Sequence, residues 1–179
     1  ESYSYKDKGD AETTEHEPAV PVVKITDGAF EGIGTLTSVS VPDSYYYLGE
    51  GCFANCKKLE TVTLSRNVSS IPADAFSGCY KLETIAAPET GAATVTSVGD
   101  RAFSSCLALR STGFDFGDGV TIGERAYFCT ISLRSIDLTG ASGVGSRAFE
   151  GWLSVQTITA GSSSGWAADW NEDCSAVIN

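Results

Sequence analysis

The chain has no methionine, one histidine (His16), five prolines, and only 12 lysines and arginines against 23 acids. Each shortage excludes something. A net charge of −11 argues against nucleic acid, because phosphate binding needs a basic footprint. A lone histidine in the polar N-terminal stretch leaves no well-placed base for a serine or cysteine nucleophile. No C-x-x-C pair or phosphate loop is present, so zinc and nucleotide chemistry have no sequence support. No apolar run approaches the ~18 residues of a membrane span. The reading is a non-enzyme with no cofactor and no metal. The missing methionine and the glutamate at position 1 are expected of a processed, extracellular or cell-surface chain whose signal peptide has been removed.

What the chain does have is a period. The pair Ala75–Phe76 recurs as Ala29–Phe30, Cys52–Phe53, Ala102–Phe103, Ala126–Tyr127 and Ala148–Phe149, at spacings of 22 to 27 residues. Other columns keep the register. Ile25, Leu48, Ile71, Val98, Ile122 and Val144 precede the pair by four residues. Ile33, Cys56, Cys79, Cys106, Thr130 and Trp152 follow by four, and Leu36, Leu59, Leu82, Leu109, Leu133 and Val155 by seven. Val39, Val62, Ile85, Thr112, Ile136 and Ile158 follow by ten, and Val41, Leu64, Ala87, Phe114, Leu138 and Ala160 by twelve. A period in this range belongs to leucine-rich repeats, whose units bury their apolar side only by stacking. Leu59-x-x-Val62-x-Leu64 reads as a short strand with Val62 and Leu64 inward and Thr61 and Thr63 outward. Ser69–Pro72 reads as a second extended piece, and Ala73–Cys79 as a helical turn.

The run I-x-x-x-A-F-x-x-C-x-x-L-x-x-I-x-L-P, matched by Ser70–Pro88, resembles the BspA-like leucine-rich repeats of bacterial and protist surface proteins. The resemblance extends from Ile25 to Ala160, and the tryptophan-bearing end is similar to C-terminal caps of such proteins. It implies a right-handed solenoid of six turns, with short parallel strands on one face and short helical turns and extended segments on the other. The expected division is an N-terminal arm over 1–21, six repeats over 22–160 and a cap over 161–179. It also implies adhesion-type binding to host or matrix proteins.

Several stretches need their own reading. Cys56, Cys79 and Cys106 share an inward column and read as small buried hydrophobes, as does Cys52. A bridge from Cys106 to Cys129 on an adjacent turn is the alternative. Pro18 and Pro21 bracket an extended piece, and Val22 and Val23 are expected to cap the core. Ser44–Tyr47 reads as a bend with at least one tyrosine exposed, either covering the cap or free to stack on a sugar or side chain. Pro88–Thr94 reads as a surface bulge. Asp115–Gly119 reads as a turn, or as a weak calcium loop. Trp166 and Trp170, four apart, are expected to close the core from one helix face.

Stacking predicts two surface ladders. Ser38, Thr61, Thr84, Ser111, Ser135 and Thr157 form an outward hydroxyl row, beside Thr37, Glu60, Glu83, Arg110, Arg134 and Gln156. Solenoid sheet faces serve as binding surfaces, so the candidate contacts are Glu60, Thr61, Thr63, Glu83, Thr84, Arg110, Arg134 and Asp137, with Tyr46. The partner class is protein, with glycan as a further option, and self-association is possible in a spacer or filament role. The second ladder, Asp100–Arg101, Glu124–Arg125 and Arg147, reads as exposed ion pairs worth ~0–1 kcal/mol each.

Overall fold

The computed structural model describes residues 23–179. The arm over 1–21, with the Pro18–Pro21 piece, and Val22 lie outside the described residues. The strands are β1 Val23–Lys24, β2 Ser38–Ser40, β3 Tyr45–Tyr47, β4 Thr61–Thr63, β5 Ser70–Ile71, β6 Thr84–Ala86, β7 Thr94–Val98, β8 Asp115–Ile122, β9 Ser135–Leu138, β10 Gly143–Val144, β11 Thr157–Ala160 and β12 Val177–Ile178. Every pairing among them is parallel. One face of the solenoid carries β2-β4-β6 followed by β9-β11-β12, and another carries β1-β3 followed by β5-β7-β8-β10.

The third face holds the aromatic pairs, and here the structure departs from the sequence reading. Among the described residues there is no helix. The segment expected to be a helical turn alternates two kinds of bond. Ala75, Ser77 and Cys79 donate backward to Pro72, Asp74 and Phe76 within the coil, while Asp74, Phe76 and Gly78 donate to Asp100, Ala102 and Ser104 of the next coil at 2.8–2.9 Å. A helix would consume every amide internally, and a nucleus this short is costly. Sharing alternate amides between coils satisfies them without one. The alternation needs left-handed backbone on either side of the aromatic pair, at 28, 51, 74, 101, 125 and 147 and again at 32, 55, 78, 105, 129 and 151. Glycine meets this without strain at five of the twelve.

Stacking of like residues makes the core. Phe30, Phe53, Phe76 and Phe103 lie in single file with ring centroids 5.2–5.5 Å apart and planes within 8°. Tyr127 and Phe149 continue the file at 5.2 and 5.6 Å. The cysteine column is buried beneath it, and each thiol donates to the aromatic carbonyl one coil back: Cys56 to Phe30, Cys79 to Phe53 and Cys106 to Phe76, at 3.0–3.1 Å. Trp152, in the same column, uses its indole Nε1 to reach Tyr127 O at 3.0 Å and Thr130 Oγ1 at 2.9 Å. Trp152 therefore keeps the column's bond to the coil before it, whereas Thr130 turns its hydroxyl to Tyr127 O of its own coil at 2.8 Å. All six cysteines are free, so the Cys106–Cys129 alternative is not realised. Burial pushes the thiols of Cys52 and Cys79 up to about 12.

Other expectations need correction. Gln156, placed outward by the repeat, is fully buried. Its amide donates to Thr130 O and Leu133 O and its carbonyl accepts from Leu153 N. Val155, placed inward, is 61% exposed, because a turn at Leu153–Gln156 rotates it out. Ala87 is also exposed. Asp115–Gly119 is not a bend but the start of β8, paired to β7 with Thr94 beside Asp115 and an irregularity after Phe116. Ser44–Tyr47 is likewise not a bend: Tyr45–Tyr47 is β3 and pairs with β1, leaving Tyr46 and Tyr47 exposed.

The closing stretch adds a seventh coil. Arg147 and Gly151 donate to Asp169 and Asp173, and β12 pairs with β11. Trp166 and Trp170 share no helix. They meet edge to face at 4.9 Å, and Trp170 sits edge-on against Phe149.

Candidate functional site

Strand register assembles the hydroxyl row. Ser38, Thr61, Thr84 and Ser111 are successive parallel partners, and Ser135 and Thr157 are partners in the second half of the face. Parallel alternation turns the residues between them, Val62 and Ile85, into the core, where both are fully buried. The charged row beside the hydroxyls is held by main-chain bonds from Glu60 N to Thr37 O, Glu83 N to Glu60 O and Arg110 N to Glu83 O at 2.8–2.9 Å. All four charges, Glu60, Glu83, Arg110 and Arg134, are exposed. Glu60 is within 3.8 Å of Lys81 Nζ.

The face is interrupted between its two halves. Thr112 stands where the other coils place valine or isoleucine. It is half-buried and is followed by Gly113 at φ +55°, where a Cβ would collide with the Ile85 carbonyl. The fourth coil thus contributes a single bridge at Ser111 instead of a strand. The missing strand opens a cleft of about 410 Å³, lined by Thr112, Phe114, Phe116, Ser135 and Asp137 among others. Asp137 Oδ1 accepts from the amide and hydroxyl of Thr139 at 2.9 and 2.6 Å, which holds its carboxyl below the ordinary aspartate value.

The candidate residues therefore fall into groups. Glu60, Thr61, Thr63, Glu83 and Thr84 form one continuous patch, with Arg110 at its border. Arg134 and Asp137 lie beyond the interruption. Tyr46 is separate, on β3 in the sheet with β1. Repeat reasoning overlooked two features. One is the cleft, whose signal was Thr112 in an otherwise aliphatic column. The other is a column five residues after the alanine, where Tyr80, Leu107, Ile131 and Leu153 are all substantially exposed.

The ion-pair ladder forms across coils. Arg101 makes two bonds to the Asp74 carboxylate at 3.0 and 2.8 Å, Arg125 bonds Glu150 at 2.9 Å, and Arg147 bonds Glu172 at 2.9 Å. Each of these arginines holds the left-handed backbone beside the aromatic pair.

The model of the BspA type leucine-rich repeat region matches residues 12–117 and 96–166, in six copies. Among solved structures the chain is similar to the leucine-rich repeat protein of T. pallidum, with TM-score 0.64 and 28% identity over 79% of this chain and 63% of that one. It is also similar to a leucine-rich repeat protein from Eubacterium ventriosum, with TM-score 0.59 and 25% identity over 70% of this chain and 33% of the other. A leucine rich cell surface protein from Faecalibacterium prausnitzii gives TM-score 0.54 and 30% identity, covering 85% of this chain and 46% of that one. The chain spans less than two thirds of each of these neighbours. No curated protein matches it.

Proposed function

The chain belongs to the BspA-type leucine-rich repeat family, and from that membership we propose that it is a non-catalytic recognition module of the cell surface or extracellular space. It binds a protein ligand, with host or matrix proteins and glycans as the classes to test, through the strand face of the solenoid. The observation that carries this reading is the in-register row Ser38–Thr61–Thr84–Ser111, exposed except for the half-buried Thr84, beside Glu60, Glu83 and Arg110 on a sheet whose other side is closed core. Such a face is preformed, so little ordering entropy opposes binding. The cell-surface description of the Faecalibacterium neighbour supports the location. Among the described residues no helix is long and apolar enough to cross a membrane.

The test is an array of matrix proteins and glycans probed with the full chain and with a quadruple charge reversal at Glu60, Glu83, Arg110 and Arg134. Loss of binding in the reversed chain, and weakening by salt in the parent, is the expected result. Unchanged affinity would exclude this face.

A second reading, a spacer or self-assembling subunit, rests on exposed apolar residues in the first coil (Phe30 and Ile33) and on the last strand (Val177 and Ile178). Sedimentation across concentrations separates the two, since a strict monomer counts against assembly.

A further inference from the structure

Tyr80, Leu107, Ile131 and Leu153 each follow the alanine of the repeat by five residues. Each sits two residues past a ladder position, at 78, 105, 129 or 151, that bonds to the coil beyond it. The four therefore rise on consecutive coils as one ridge, at the corner between the turn face and the strand face. Their exposures are 44%, 40%, 42% and 51%. The other repeated aliphatic and aromatic columns of the middle coils are turned into the core except at Ala87, so packing does not explain this one. An unbroken line of large apolar side chains left in water marks an interaction site.

The charge around the ridge identifies what covers it. Ten lysines and arginines lie among the described residues. Lys24, Arg66, Lys81, Arg101, Arg125 and Arg147 have carboxylate partners. The four others are Lys57, Lys58, Arg110 and Arg134. All four lie near the ridge column in sequence, and Glu83 takes the same offset after Tyr80 that Arg110 and Arg134 take after Leu107 and Ile131. Lys57 occupies the ridge column itself one coil before Tyr80, and Lys58 is its neighbour. Arg110 and Arg134 follow Leu107 and Ile131 by three residues. In a chain with net charge −11, the four cations with no carboxylate partner among the described residues flank this exposed apolar column at its start and from Leu107 onward, with Glu83 as the one carboxylate in the same row beside Tyr80.

We infer that this ridge is the docking site for a segment of a partner protein that presents apolar side chains interleaved with carboxylates. The apolar side chains cover Tyr80, Leu107, Ile131 and Leu153, and the carboxylates take up Lys57, Lys58, Arg110 and Arg134. A nucleic acid would meet the same cations but also the repulsion of the whole acidic molecule. The inference rests on the interaction-module reading, and it moves the energetic centre from the hydroxyl row to the corner, where apolar anchors can exclude water.

The test is fluorescence anisotropy with the full chain and three labelled peptides: alternating leucine–glutamate, alternating leucine–lysine and alternating serine–glutamate. The leucine–glutamate peptide alone is expected to bind, and binding weakens in high salt. Its affinity falls by about tenfold or more, the equivalent of ~1.4 kcal/mol, in Leu107→Ser with Ile131→Ser and separately in Arg110→Glu with Arg134→Glu. If the first serine pair fails to fold, Tyr80→Ser with Leu153→Ser replaces it. Absence of leucine–glutamate binding, equal binding of the leucine–lysine peptide, or unchanged affinity in the variants would overturn the ridge. Loss of binding in Thr61→Lys with Thr84→Lys, with the ridge variants unaffected, would overturn it while leaving the strand-face reading intact. Ridge variants that alter only the sedimentation of the unliganded chain would make it a self-interface and overturn the proposal too.

Discussion

Tyr127 occupies the aromatic file where the other coils carry phenylalanine, and its hydroxyl is buried with no hydrogen-bond partner among the described residues. An unsatisfied buried hydroxyl costs about 1–3 kcal/mol. Tyr127→Phe removes that group and keeps the ring, so it should raise stability by about 1 kcal/mol, read as a higher urea midpoint at unchanged slope. The opposite effect is expected at Gly123. A Cβ there would lie 2.5 Å from the amide nitrogen of Asp100 in the neighbouring coil, and Gly99 and Gly145 meet the same obstruction. Gly123→Ala should cost about 1–3 kcal/mol as overpacking. The sequence contained the signal, a glycine three residues before the alanine in four of six repeats. It was hidden because nothing in a composition or a period says how near the next coil's backbone will come.

At the scale of the element, the aromatic file and the cysteine column were both legible in the sequence, because identical side chains at one period must stack if units are to bury them. The turn beneath them was not. Ala73–Cys79 carries helix-compatible apolar spacing, and local pattern alone cannot tell a helical turn from one whose alternate amides are taken by a neighbour. Arg101, Arg125 and Arg147 show how non-glycine residues tolerate that geometry, since each carries a carboxylate partner from another coil. Trp152 shows a different accommodation. Its indole replaces the thiol as donor to the preceding aromatic carbonyl. Trp152→Phe should lose about 1–3 kcal/mol by deleting that buried bond and part of the ring. Trp152→Phe at full stability in urea would show that the donor is dispensable.

At the scale of the whole molecule, the core is one chemical environment shared by seven coils. Cys52, Cys56, Cys79 and Cys106 are buried in it, while Cys129 and Cys174 are partly exposed. A thiol reagent added to the native chain should label the latter two fast and the other four only on unfolding, counted by mass. The same burial makes stability depend on alkaline pH. Neutral thiol is favoured in the fold, with Cys52 and Cys79 pushed up to about 12, whereas an unfolded thiol titrates near ~8.5. Their contribution is complete below ~8.5 and is lost as pH rises toward the folded value. Urea midpoints should therefore fall between roughly pH 9 and 11, and Cys79→Ala should reduce the slope by about 1.4 kcal/mol per pH unit.

The sequence alone determined that the chain is a stack, which residues share a column, and which strand residues face inward, because a solenoid repeats one local solution and each copy reports on the others. Only the tertiary structure decided what happens between copies. It withdrew the fourth coil's strand and opened a cleft, turned Gln156 in and Val155 out, left Tyr80, Leu107, Ile131 and Leu153 in solvent, and paired six cations while leaving four beside that ridge. Apart from the local Lys24–Asp27 pair, those outcomes are set by how closely one coil rests on the next, and no periodicity along a single chain encodes them.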